Sequence, residues 1–233
     1  MFTLLSADLF TMPHRLEGNK MLRPRRTAPT ETGRSESFSD GVFAVAITLL
    51  ALDLSRIHAN PKVGDGTFFA AFEQLWPSLL AFASSFAFIG IAWTNHHYIF
   101  VRVKQLSRGL NGANLLLLAA ITLVPWANST LADSLSLTGK HGQQEVVLYS
   151  AVTLLGTSTW WLIFHTLSRH PELLEDPELA KGFAADRIRT LVGAMGSIIP
   201  GVIGFFWSPI IAVMMFFAVL VFFAVTSAGF ERT

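Results

Sequence analysis

The sequence predicts an all-α membrane protein with six transmembrane helices, and three observations support this prediction. Of its 233 residues, 52% are hydrophobic and only 14% are charged, a composition too apolar for an ordinary soluble domain. Phenylalanine contributes 20 residues and cysteine none, so the chain has no disulfide framework and no thiolate chemistry. The apolar residues fall into six segments, each near the roughly 20 residues that a helix needs to cross a bilayer.

A basic tail precedes the first apolar segment. Residues 1–33 hold five lysines and arginines, interspersed with proline and threonine. We expect this tail to be largely disordered and solvated; attraction of its charge to a membrane surface is a second interpretation. Residues 34–230 are expected to form one six-helix transmembrane domain.

The six segments have clear limits. The second is long enough to tilt or to extend beyond the bilayer. Pro209 breaks the helix between the last two, so a tight hairpin is expected there. Four glycines in the fifth segment favour close helix contact, namely Gly193, Gly196, Gly201 and Gly204. The segments span residues 38–54, 68–100, 110–131, 145–167, 188–207 and 209–229.

The distribution of lysine and arginine predicts the orientation. Fourteen of the 17 lie in the tail together with Arg34, in the second-to-third and fourth-to-fifth connections, or after the last segment. Arg56, Lys62 and Lys140 lie on the opposite side. Because basic residues accumulate in cytoplasmic loops, we expect a multi-pass protein of the cell membrane with both termini in the cytoplasm. The fourth-to-fifth connection is also acidic, so we expect a solvated loop or a short surface helix.

The first segment separates a carboxylate from an apolar stripe. Asp40 stands where the segment enters the membrane, and a carboxylate there is costly unless it is paired. At 100° per residue, Asp40 lies about 140° from the stripe and on the side of Ile47. The spacing alone allows the stripe to face lipid, the bundle core or something else. The stripe consists of Val45, Thr48, Leu49 and Leu52.

A second polar cluster ends the second segment, at Trp93, His96 and His97. The topology places it at the same depth as Asp40, so we interpret these groups as hydrogen-bond partners of one another. A proton relay and a metal site are the alternatives. Neighbouring histidines point about 100° apart on a helix, which disfavours a shared metal. Asn114 in the third segment could form hydrogen bonds between helices, although a packing role is the preferred interpretation.

Motifs of the common enzyme classes are absent from the sequence. It contains no phosphate loop, nucleophile elbow, zinc-protease motif or dinucleotide fingerprint. We therefore expect a protein that is not an enzyme and that has no cofactor, no bound metal and no nucleic-acid partner. The sequence also lacks the carbonyl selectivity loop and the voltage-sensing arginine ladder that are found in some ion channels.

The motif Arg34-x-x-x-Phe38-Ser39-Asp40 resembles that of the prokaryotic relatives of the endosomal and lysosomal transmembrane potassium channel. The run from Trp93 to His97 is similar to the second signature of that family. The resemblance covers roughly residues 34–229. It implies a homotetramer in the lipid bilayer, with the first helix of each subunit lining a central pore that conducts potassium ions passively.

Carried over by position, the resemblance assigns roles to both clusters. It implies apolar constrictions at Val45, Leu49 and Leu52 and a hydroxyl layer at Thr48, in place of a carbonyl filter. The alternative function is a proton-conducting channel or an ion-coupled transporter that uses Asp40 and the histidines. The absence of an inverted repeat argues against a transporter. The polar scaffold that holds the pore helix would comprise Arg34, Phe38, Ser39, Asp40, Trp93, His96 and His97.

Overall fold

The computed structural model describes residues 31–57, 68–136 and 142–226. These ranges form six α-helices and a short 3₁₀ turn, which confirms the predicted all-α fold. Five of the helices are long and apolar enough to cross a membrane, and the sixth is a shorter apolar helix. The helices are α1 Glu31–Ile57, α2 Phe68–Phe100, α3 Arg108–Ser136, α4 Gly142–Arg169, α5 Leu179–Phe206 and α6 Pro209–Thr226, and the 3₁₀ turn is Pro171–Leu173.

Two helices begin more than one helical turn before the residue at which hydropathy predicts their start. Helix α1 starts at Glu31 rather than at residue 38, and α5 starts at Leu179 rather than at residue 188. Hydropathy marks the part of a helix that lies in the bilayer, whereas helical hydrogen bonding continues into polar turns outside it. The motif from Arg34 to Asp40 is therefore helical. Of the predicted tail, residues 1–30 lie outside the described residues.

The helices form a bundle in which chain neighbours pack on one another. Helix α3 is central and contacts α1, α2 and α4, while α5 packs on α4 and α6. Helix α6 returns to α2, which closes a ring of five helices from α2 to α6. Helix α1 lies outside this ring and rests on α2 and α3. Among the described helices, none packs against the remaining side of α1.

Glycine permits the close approach of α5 to its neighbours, as the sequence predicts. A Cβ atom added at Gly204 would overlap Val146 of α4 and Ala212 of α6. A Cβ atom at Gly201 would overlap Ser150 of α4. In a membrane, where lipid is as apolar as leucine, such close packing is a main source of helix association.

The connections after α2 and after α4 meet at one end of the bundle. Val103 and Leu174 form an antiparallel bridge, and the Lys104 amide donates to the Leu173 carbonyl at 2.8 Å. This end also holds the first turns of α1, so we call it the motif end. At the other end, Trp207 and Ser208 join α5 to α6 in the predicted tight hairpin.

Candidate functional site

The predicted apolar stripe lies on the outer surface of the subunit. Val45, Leu49 and Leu52 are 56%, 47% and 63% exposed, and Thr48 between them is exposed as well. We call these four residues the open face of α1. Their exposure rules out the bundle core as the environment of the stripe. A surface this apolar faces either lipid or copies of the same helix in other subunits.

The opposite side of α1 packs into the subunit. Phe43, Ala46 and Leu50 are almost completely buried there, and the partly buried Ile47 packs against the same core. One face of α1 is thus packed inside the subunit, and the other is exposed on its surface. Buried and exposed positions alternate at the helical period expected for an amphipathic helix.

The hydroxyl group of Thr48 is oriented by its own helix. Thr48 Oγ1 donates its hydrogen to the Val45 carbonyl at 2.8 Å. Since this bond consumes the only hydroxyl hydrogen, the lone pairs of the oxygen remain available on the open face. A ring of such oxygens would present partial negative charge to a passing cation.

Two antiparallel hydrogen-bonded pairs join α1 to α2 near the motif end, and we call them the outer pairs. The indole nitrogen of Trp93 donates to Asp40 Oδ1 at 2.9 Å. His97 Nδ1 lies 2.9 Å from Glu36 Oε1. Trp93 and His97 stack on each other, with ring centroids 6.2 Å apart. Glu36 and Asp40 are four residues apart on α1, and Trp93 and His97 are four residues apart on α2. This is the spacing of neighbours on one helix face.

A second, buried set of bonds joins α1, α2 and α3, and we call it the inner network. Asn114 Oδ1 lies 2.9 Å from His96 Nε2. The amide nitrogen of Asn114 donates to the hydroxyl oxygens of Ser39 and Ser35, at 3.1 and 3.2 Å. His96, Ser39 and Asn114 are all fully buried. The preferred interpretation of Asn114 as a packing residue is therefore wrong, and the alternative of hydrogen bonds between helices is the one observed.

The two histidines lie in different surroundings. His96 stacks on Phe100 at 4.0 Å between ring centroids and meets Phe43 edge-on, whereas the side chain of His97 is 55% exposed. His96 Nδ1 is buried without a hydrogen-bond partner among the described residues. In residues 31–57, 68–136 and 142–226, no group of three histidine or acidic side chains is arranged to bind a metal ion.

Two residues of the predicted scaffold lie apart from both sets of bonds. Arg34 is exposed, and no hydrogen bond or ion pair joins it to another described residue. Phe38 is 58% exposed on the side of the open face. Both side chains are exposed, so both can contact another subunit or the membrane.

The sequence analysis did not identify Ser35 and Glu36 as members of these networks. Ser35 and Ser39 are four residues apart, and so are Glu36 and Asp40. This spacing already places two hydroxyl groups on one stripe and two carboxylates on the next. The signal was present, but the partners on α2 and α3 become apparent only when the helices are packed.

A family model described as "Endosomal/lysosomal potassium channel TMEM175" matches residues 34–125. A potassium channel of Streptomyces collinus is 38% identical over 170 residues, which is 71% of this chain and 79% of that protein. The human endosomal/lysosomal proton channel TMEM175 is 36% identical over 104 residues, 42% of this chain. The chain matches only 21% of the length of the human protein.

A solved structure has a similar fold. It is a crystal structure described as that of a lysosomal potassium-selective channel TMEM175 homolog from Chamaesiphon minutus. The TM-score is 0.66 at 30% sequence identity, and the match covers 84% of this chain and 97% of that one.

Proposed function

The chain belongs to the TMEM175 potassium channel family, and on that basis we propose that it forms a homotetrameric, potassium-preferring cation channel in the cell membrane. The open faces of four α1 helices line its central pore. The observation that carries the proposal is the apolar stripe of α1, whose side chains are about half or more exposed although the opposite side of the helix is buried. Four copies of the stripe around an axis cover one another.

Conduction follows from the chemistry of the open face. Rings of Leu49 and Leu52 form an apolar constriction, which an ion passes only after it loses part of its hydration shell. Potassium holds its water less tightly than sodium, so the constriction favours potassium. The oxygens of Thr48 replace part of the lost hydration. Passive flow through such a pore needs neither a cofactor nor a bound metal.

The two sets of bonds between helices fix the position of α1. The outer pairs hold it against α2, and the inner network holds it against α3. Small rotations of α1 would turn Leu49 away from the axis and alter the width of the constriction. Asp40 and His96 act in this account as positioning residues, not as ion carriers.

Proton conduction is a second candidate, favoured by the name of the vertebrate relatives. Asp40 and His96 are unsuited to relay the proton, because they belong to separate sets of bonds. His96 Nδ1 also has no described partner to which a proton could pass. Proton flow would therefore use water in the pore.

Flux into proteoliposomes tests the proposal. Vesicles that contain the purified chain should pass potassium down its gradient, at a rate above that of sodium and without a coupled ion. A pH-sensitive dye inside the same vesicles reports proton flow, and vesicles without protein give the background. Flux that requires an opposing proton gradient, or equal rates for potassium and sodium, would contradict a potassium-preferring channel.

A further inference from the structure

A cavity of about 140 Å³ lies between α2, α4, α5 and α6. On the same measure one water molecule needs roughly 10–15 Å³, so the cavity is about ten times larger than a site for a single water. Its described walls include no residue of α1 or α3. The cavity is therefore separate from the pore and from the bonds that hold the pore helix.

The walls of the cavity are apolar. Aromatic side chains from all four helices line it, among them Phe88, Trp160, Phe183 and Phe216. They create an environment in which a hydrocarbon chain is stable and a cluster of water molecules is not.

Three hydroxyl groups in the walls have no hydrogen left to donate to a water molecule. Thr157 Oγ1 donates to the Thr153 carbonyl at 2.7 Å, and Thr190 Oγ1 donates to the Arg187 carbonyl at 2.6 Å. Ser197 Oγ likewise donates to the Gly193 carbonyl. These oxygens can still accept a bond, and Asn95 also lines the cavity. A buried water requires two to four polar partners, however, and the aromatic part of the cavity does not provide them.

One end of the cavity is charged. Asp186 and Arg189 line it near the motif end, 3.6 Å apart, with side chains 26% and 40% exposed. Tyr98 lines the same end, and the guanidinium of Arg102 lies 3.7 Å from the centroid of its ring. Of these two guanidinium groups, only that of Arg189 belongs to the cavity wall, beside the Asp186 carboxylate. Arginine binds phosphate oxygens well, because its planar donors match their geometry.

We propose that the cavity binds one acyl chain of a phospholipid, with the phosphate of the same lipid against Arg189. The apolar walls accept the chain, and the positively charged end lies at the depth of the lipid headgroups. Bound lipid would fill the space between α2 and α5, which make little direct contact. The proposal requires only that the chain lies in a membrane, so it does not depend on which ion is conducted.

Photolabelling of the full chain tests the proposal. The protein is reconstituted in phosphatidylcholine vesicles that contain a phosphatidylglycerol probe with a diazirine in its acyl chain. Peptides around Phe216 should be labelled after irradiation. Ala92→Phe, at a buried position in the cavity wall, should reduce this labelling about tenfold. Ala218→Phe, at an exposed position of α6, is the matched control and should leave it unchanged.

Two further variants keep the test decisive. Ser197→Leu also fills the cavity, and it replaces Ala92→Phe in the experiment if Ala92→Phe does not fold. Arg189→Gln should lower labelling severalfold, whereas Lys181→Gln, at an exposed position on the same helix, should not. Equal labelling in the filled and control variants would overturn the proposal. Labelling by a diazirine fatty acid but not by the phospholipid would overturn the assignment to a phospholipid.

Discussion

At the scale of single residues, Asn114 determines how α1 is held. Its amide contacts His96, Ser39 and Ser35, so one side chain on α3 bonds to both α1 and α2. The fully buried partners cannot turn to water if Asn114 is lost. A buried polar group left without a partner costs about 1–3 kcal/mol.

Asn114→Leu should therefore lower the melting temperature of the assembled protein markedly, since it leaves the buried His96 Nε2 without a partner. It also removes the hydrogen bond that Ser39 Oγ accepts, although this hydroxyl still donates to the Ser35 carbonyl. Fluorescence-detected size-exclusion chromatography of heated samples measures the melting temperature. Asn111→Leu, one turn earlier on α3, is the control, because no side-chain hydrogen bond joins Asn111 to another described residue. Equal melting temperatures for the two variants would show that the inner network does not stabilise the protein.

Asp40→Ala should have a smaller effect on stability. Its partner Trp93 is neutral and 44% exposed, so the lost bond falls below the roughly 1.5–3 kcal/mol of a buried bond to a charged group. Asp40→Asn keeps an acceptor for the indole and should melt close to the unmodified protein. Altered ion selectivity with unchanged melting would instead place Asp40 in the conduction path.

Sequence reasoning identified the polar clusters but not the pairing between them. It grouped Asp40 with Trp93, and these two do form a bond. It preferred a packing role for Asn114 and did not assign Glu36, because the roles of both depend on which helix faces which. Periodicity describes the faces of one helix, whereas a bond between helices depends on their relative rotation and depth.

At the scale of the elements, composition indicated which segments are helical but not where each helix begins. The predicted second segment coincides with α2, from Phe68 to Phe100. The starts of α1 and α5 lie earlier than predicted, because their first turns are polar and lie outside the apolar segments. The predicted hairpin at Pro209 was correct, since proline at the first helical position is a strong local signal.

The packing of α5 on α4 depends on glycine at particular positions. Gly204→Ala should destabilise the protein, because the new Cβ atom would overlap Val146 and Ala212. Gly182→Ala, on the same helix, meets no atom within 4 Å and should stabilise it by up to about 1 kcal/mol through helix propensity. Thermal unfolding of both variants in one detergent gives the comparison. A Gly204→Ala variant as stable as Gly182→Ala would refute close packing at this site.

At the scale of the whole molecule, the bundle places the basic connections at one end. The connection after α2 pairs with that after α4, so Arg102 and Lys104 share an end with the start of α1. Within the described residues, most of the lysine and arginine lies towards this end. The positive-inside rule then predicts that the motif end faces the cytoplasm.

A reporter fused after Thr233 tests this orientation. Green fluorescent protein folds in the cytoplasm and should fluoresce there, whereas alkaline phosphatase at the same site should be inactive. In a fusion after Lys140, in the connection between α3 and α4, green fluorescent protein should not fluoresce and alkaline phosphatase should be active. Phosphatase activity from the Thr233 fusion would invert the proposed topology.

The central claim is that the open face of α1 lines the pore, and paired measurements of single-channel conductance and reversal potential test it most directly. Leu49→Ala widens the constriction and should raise conductance while weakening the preference for potassium over sodium. Thr48→Ala should keep conductance but weaken that preference, because the hydroxyl ring is lost. Ile47→Ala, on the packed side of the same helix, should change neither. Altered selectivity in Ile47→Ala together with unaltered selectivity in Leu49→Ala and Thr48→Ala would contradict the account.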